Sequence, residues 1–130
     1  MTMNILVADD DKVHVHLLST LLKKRGYGVT VAYDGLQAWS TALRSKPDAI
    51  ILDIHMPAGT GFEVLRKLKT STKTSQIPVI VVSGSVDADE IDAIGTLGAD
   101  RFVRKPADLY HLFELLRQVL NVTHGANELK

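Results

Sequence analysis

Short apolar runs alternate along this chain with longer stretches in which apolar residues return every three or four positions. Asn4-Ile5-Leu6-Val7-Ala8 is the first run, and it ends in Asp9-Asp10-Asp11. Val13, Leu17, Leu18, Leu21 and Leu22 follow at helical spacing, with Gly26 as a C-terminal cap. Residues 28–33 alternate large and small side chains, as a strand with one poorly covered face does. Asp34-Gly35-Leu36-Gln37 has the cap spacing of a second helix, which stops before Pro47. Ala49-Ile50-Ile51-Leu52 is apolar throughout and ends in a single carboxylate, Asp53, with a Pro/Gly loop directly behind it. Such a run between turn signals predicts a strand buried on both faces.

The second half repeats the alternation. Thr60-Gly61-Phe62-Glu63 has the capping-box spacing, and Phe62, Leu65 and Leu68 form a stripe behind it. A polar loop over 71–76 precedes Pro78-Val79-Ile80-Val81-Val82, a continuous apolar strand ending in Ser83-Gly84-Ser85. Asp87-Ala88-Asp89-Glu90 starts a helix that carries Ile91, Ile94 and Leu97. Gly95 lies inside it at a cost of about 1 kcal/mol against Ala. Arg101-Phe102-Val103-Arg104 is a brief mixed strand ending at Lys105-Pro106. The last helix has the clearest stripe: Leu109, Leu112, Phe113, Leu116, Val119 and Leu120.

Strand and helix therefore alternate five times, which predicts an α/β fold with a parallel sheet and helices on both faces. The first, third and fourth strands are continuous and belong inside the sheet; the second and fifth are mixed and belong at its edges. With right-handed crossovers, the order 2-1-3-4-5 satisfies this. The domain is expected to occupy residues 1–122, with 123–130 a polar tail or the start of a linker.

Composition narrows the function. The chain has 130 residues, 45% of them hydrophobic, enough for one packed core. Lys plus Arg equals Asp plus Glu, 15 against 15, so no basic excess points to nucleic acid or an anionic membrane. Cysteine is absent, which removes disulfides and thiolate metal sites. The N-terminus has no basic segment followed by a long apolar stretch, so a signal peptide is not expected. No apolar run approaches the roughly 20 residues of a membrane span. A cytoplasmic location is expected. Asn121-Val122-Thr123 matches a glycosylation sequon, expected to be a chance match because secretion is not expected.

In a doubly wound sheet, ligands bind at the carboxyl ends of the strands, where the chain reverses direction. Four strand ends carry polar groups: Asp9-Asp10 after the first, Asp53 after the third, Ser83 after the fourth and Lys105 after the fifth. Singly, each has an ordinary explanation. Asp10 or Asp11 can cap the first helix, Asp53 can start a turn, Ser83 can be a loop residue and Lys105 a solvated charge. Together on one edge, they are hard to dismiss.

These motifs resemble those of CheY-like receiver domains of two-component response regulators, over about residues 4–122. They are the acidic pair Asp9-Asp10, the pattern Asp-x-x-Met-Pro-x-x-x-Gly from Asp53 to Gly61, Ser83-Gly84, and Lys105-Pro106. The resemblance implies a (βα)5 flavodoxin-like three-layer sandwich, and the order 2-1-3-4-5 is the known one for flavodoxin and CheY. It implies that Asp53 accepts a phosphoryl group from a phosphohistidine on a histidine kinase or histidine phosphotransfer protein. It implies Mg²⁺ (or Mn²⁺) bound directly by Asp10 and Asp53, with help from Asp9 and the backbone carbonyl of His55. It further implies that Ser83 and Lys105 hold phosphoryl oxygens, that Ser83 and Phe102 form a switch, and that His55, Gly84 and Ser85 tune access. A cis Lys105-Pro106 bond is also implied, a geometry cheap only before proline. Downstream, it implies an output domain or effector protein, and it allows a homodimer through the fourth helix, fifth strand and fifth helix. No direct nucleic-acid or membrane contact is expected, and no catalysis beyond the domain's own phosphorylation and dephosphorylation.

The chemistry agrees with this reading. Close carboxylates repel each other and a phosphoryl donor, and a hard divalent cation reverses that field. A carboxylate can then act as nucleophile, and phosphoryl transfer mostly needs neutralised charge and alignment. The chain departs from the family at Phe102, where Tyr is frequent, and at Ala107, where Phe is usual, so packing under the last helix is reduced. Arg101 stands where the DNA-binding subfamily has an acid in its dimer contact. Other functions fit less well. A phosphatase of the haloacid dehalogenase type needs Asp-x-Asp, and His55 stands at the second position. A flavodoxin-like electron carrier needs a Ser/Thr/Gly-rich loop where this chain has three aspartates. A docking module independent of phosphorylation has no need of Asp53, Ser83 and Lys105 together. Trp39 reads as packing. His14, His16, His111 and His124 lack metal-like spacing and read as solvated, since i, i+2 positions on a helix do not share a face.

Overall fold

Every apolar run becomes a strand: β1 (Asn4–Ala8), β2 (Gly28–Ala32), β3 (Ala49–Asp53), β4 (Val79–Ser83) and β5 (Arg101–Arg104). The amphipathic stretches between and after them become α1 (Lys12–Lys24), α2 (Gly35–Ser45), α3 (Gly61–Thr70), α4 (Ala88–Thr96) and α5 (Leu109–Glu128). The computed structural model describes residues 2–56, 60–84 and 86–128. All strand pairs are parallel, and the sheet order is β2-β1-β3-β4-β5. β3 and β4 are buried at every position, whereas β2 and β5 are only partly covered, which is why their sequences are mixed.

Period-two alternation splits the core into two layers. Ile5, Val7, Ala49, Ile51, Ile80, Val82 and Val103 point to one face. There they meet Val15, Leu18 and Leu22 of α1 and Leu112, Leu116 and Leu120 of α5. Leu6, Ala8, Ile50, Leu52, Val79 and Val81 point to the other, where Ala38 and Ala42 of α2, Val64, Leu65 and Leu68 of α3 and Ile94 of α4 cover them. Trp39 packs against this second layer.

The helix ends follow local chemistry. Asp11 caps α1 by accepting from the amides of Val13 and His14, and Asp34 caps α2 through Gln37. Thr60 Oγ1 accepts from the Glu63 amide, while the Glu63 carboxylate turns to Arg66 instead of closing a capping box. Asp87 and Glu90 close a full one on α4. α1 ends in a Schellman pattern, with the Gly26 and Tyr27 amides on the carbonyls of Lys23 and Leu22 and Gly26 at φ +92°. Asp100 Oδ2 accepts from Lys69 Nζ (2.9 Å) and the Val79 amide (2.8 Å), tying α3 to the start of β4. α5 continues to Glu128, past Leu120, the last residue of its stripe. Among the described residues no helix is long and apolar enough to cross a membrane.

Candidate functional site

Register brings the polar strand ends to one edge. Ala8 lies beside Leu52, so Asp9 and Asp53 emerge side by side where the chain reverses between β1 and β3. Asp53 pairs with Val82, and Ser83 pairs with Arg104, which sets Lys105 one step beyond Ser83. Parity also matters. Asp9 follows Ile5 and Val7, Asp53 follows Ile51, and Lys105 follows Val103, all on the α1/α5 side. Ser83 follows Val79 and Val81, on the opposite side.

Lys105 joins the two buried acids: its Nζ lies 3.1 Å from Asp9 Oδ2 and 3.2 Å from Asp53 Oδ2. Backbone amides take the other oxygens. Asp11 N donates to Asp9 Oδ1 and His55 N to Asp53 Oδ1, each at 3.0 Å. Asp10 is exposed, yet one oxygen from each of Asp9, Asp10 and Asp53 lies within 4.8 Å of the others. Three such oxygens are a donor set for a hard divalent cation. Ser83 is 1% exposed, and its Oγ has no hydrogen-bond partner among the described residues. A buried hydroxyl of that kind is costly unless an acceptor or donor reaches it.

The two acids titrate apart. Burial pushes the Asp9 carboxyl up, but hydrogen bonds from His14, the Asp11 amide and Lys105 outweigh it and hold the carboxyl well below the usual range. At Asp53 burial wins: with Asp9's charge beside it, the carboxyl is pushed above its ordinary value despite the His55 amide and Lys105. Burial would lower Lys105, yet its bonds and charges with Asp9 and Asp53 raise it. The ammonium therefore stays charged between them.

Around this centre the expected residues fall as follows. His55 is exposed; its Nε2 is 3.9 Å from Glu90 Oε2, and its ring meets Phe62 edge-on at 6.3 Å. A Cβ added at Gly84 would make an ordinary 3.5 Å contact with Lys105 Cβ. Ser85 lies outside the described residues. Phe102 is half-buried against the α2–α4 layer, with the Arg104 guanidinium 6.0 Å from its ring. Arg104 also donates to the Val86 carbonyl, linking β5 to the segment before α4. The Lys105–Pro106 bond is cis. Ala107 helps line a recess of about 430 Å³ between α1 and the start of α5, shared with His14, Leu17 and Leu109.

One residue read from sequence as solvated is part of the site. His14 Nδ1 is 2.7 Å from Asp9 Oδ2, and its side chain is only 23% exposed. Spacing among the histidines could not reveal this, because the partner is an aspartate on the preceding strand end. The signal was parity: Asp9 leans to the α1 side, and His14 sits in the first turn of α1.

The family model for the response regulator receiver domain matches residues 5–117. Response regulator GtcR of Aneurinibacillus migulanus is 40% identical over 107 residues, 82% of this chain and 43% of that protein. Response regulator PleD of Caulobacter vibrioides is 38% identical over 132 residues, 100% of this chain and 29% of its own length. The chain thus spans less than half the length of these curated relatives. Among solved structures, the chemotaxis response regulator CheY4 of Vibrio cholerae superposes with a TM-score of 0.85 at 26% identity, covering 92% of this chain and 99% of that one.

Proposed function

This chain belongs to the response regulator receiver domain family of two-component signal transduction, and on that premise we propose that it is a phosphoacceptor whose acceptor is Asp53. The donor is a phosphohistidine of a histidine kinase or histidine phosphotransfer protein. One observation carries the reading: Lys105 lies within hydrogen-bond reach of Asp53, and the buried Ser83 hydroxyl one position beyond it has no partner among the described residues. A phosphoryl group on Asp53 would be an anion for Lys105 and, once the Ser83 hydroxyl turns toward the strand ends, an acceptor for it.

In the reaction an Asp53 oxygen attacks phosphorus, the O–P bond forms as the P–N bond to the histidine breaks, and the imidazole leaves. Lys105 balances the added charge, and the apolar strand behind Asp53 together with the His55 amide holds the carboxylate in line. Asp9, Asp10 and Asp53, with the His55 carbonyl, would hold Mg²⁺ (or Mn²⁺), which when bound supplies the positive charge that three carboxylates and a phosphoryl donor need. Gly84, Ser85 and His55 tune access to the acyl phosphate. The domain catalyses only its own phosphorylation and dephosphorylation, in the cytoplasm, without contacting nucleic acid or membrane. The receiver occupies residues 1–122, and 123–130 is a polar tail or leads to an output domain or effector contact.

Incubation with phosphoramidate or acetyl phosphate and Mg²⁺ is expected to add one phosphoryl group. Borohydride reduction should map it to Asp53, and a chelator should prevent it. Uptake indifferent to chelator, or mapped to Asp9 or Asp10, would overturn the reading.

Phosphorylation is further proposed to shift the face formed by α4, β5 and α5, which is also the surface for a homodimer. α4 is built to respond: it has nine residues, an interior glycine and Ile94 as its single fully buried side chain. Ser83 and Phe102 would move together, drawing on a pre-existing minor state. Hydrogen exchange with beryllofluoride should change protection over residues 86–105. A change confined to other segments would rule the switch out.

A further inference from the structure

We infer that His14 is a positioning residue for the cation site: its Nδ1–H holds Asp9 in place when Lys105 leaves Asp9 for the phosphoryl group. This rests on the function proposed above. The ionised Asp9 carboxylate only accepts hydrogen bonds, so His14 Nδ1 must be the donor across the 2.7 Å contact. Asp9 Oδ2 takes two donors, His14 Nδ1 and Lys105 Nζ, and Oδ1 takes the Asp11 amide.

The three donors have different origins. Lys105 comes from β5 and also bonds Asp53, the group that is modified. The Asp11 amide and His14 both belong to the entrance of α1, five residues or fewer from Asp9, and Asp11 itself caps that helix through the Val13 and His14 amides. Movement of Lys105 toward a phosphoryl oxygen therefore removes one donor and leaves a two-point grip, amide on Oδ1 and imidazole on Oδ2. That grip fixes the plane of the carboxylate and leaves a lone pair on each oxygen side for a cation. Without His14, Oδ2 would depend on Lys105 alone, and Lys105 would be held back on Asp9. Hydrogen-bonded partners of metal-ligating carboxylates typically change metal affinity by about 10- to 100-fold when removed.

The test titrates Mg²⁺ alone into the full chain, by calorimetry or amide NMR shifts. His14→Leu is expected to weaken Mg²⁺ binding at least about tenfold. His14→Asn, whose amide nitrogen can reach the same oxygen, should recover most of that loss. In the wild type, the His14 imidazole ¹⁵N resonances should report a protonated, hydrogen-bonded Nδ1, and Asp9→Asn should shift them. Wild-type affinity in His14→Leu, or equal impairment in His14→Asn and His14→Leu, would overturn the inference while leaving the proposed function intact. A wild-type chain that binds no Mg²⁺ would overturn both.

Discussion

Asp53→Asn is expected to take up no phosphoryl group, yet to fold at least as stably as wild type at neutral pH. The amide is not a nucleophile toward phosphorus under these conditions, and in the proposed site Asp9 and Asp10 are poor substitutes because their oxygens serve the cation. The stability half follows from the titration. Burial, reinforced by the charge on Asp9, raises the Asp53 carboxyl above its ordinary value of 3.8. A raised carboxyl keeps its proton in the folded state at pH values where the unfolded chain has lost it. Stability therefore falls as the pH rises from the ordinary value through the folded one, and stays lower above it. Asparagine removes that loss and still offers an oxygen to the His55 amide. Asp9 has the opposite sign: its depressed carboxyl contributes stability above the ordinary value, and that contribution is lost as the pH falls below it. Asp9→Asn should accordingly destabilise at neutral pH. Urea titrations of both variants at neutral and acid pH, beside phosphoramidate labelling, check the pair. Full labelling of Asp53→Asn would end the assignment of the acceptor.

The sheet was legible because burial leaves a record in composition. β3 and β4 are apolar at consecutive positions since both faces are covered, and β2 and β5 are mixed since theirs are not. The strand-end groups were legible for a related reason: a carboxylate, hydroxyl or ammonium that directly ends an apolar run must emerge at the sheet edge. His14 was not legible that way. A residue in the first turn of a helix has no run to mark it, and its partner is chosen by the side to which Asp9 leans. The unequal burial balance of Asp9 and Asp53 was also hidden, because it depends on which donors each carboxylate collects. Gly61 closes the Asp-x-x-Met-Pro-x-x-x-Gly pattern, but spacing alone gave no reason for a glycine there.

The structure supplies that reason, and with it the largest expected effect of a one-carbon change. A Cβ at Gly61 would lie 2.3 Å from Ile54 Cα and 2.4 Å from the Ile54 carbonyl oxygen. These are backbone atoms, so no side chain can rotate away. Gly61 N donates to that same carbonyl at 2.8 Å, which presses the start of α3 onto the residue after Asp53. Its φ is not in the left-handed region, so contact rather than conformation demands glycine. Gly61→Ala must push α3 or Ile54 outward, an overpacking cost of about 1–3 kcal/mol or more. The displaced backbone carries the Asp53 carboxylate and the His55 amide that orients it. A shift of about 1 Å at a reacting group can slow a reaction about 100-fold. Gly61→Ala should therefore lower the urea midpoint and slow phosphoramidate labelling of the molecules that remain folded. Gly95→Ala is the control: nothing lies within 4 Å of its added Cβ, so α4 should gain about 1 kcal/mol at most. If Gly61→Ala matched wild type in both midpoint and labelling rate, the tight seating of α3 against Ile54 would not be what aligns Asp53.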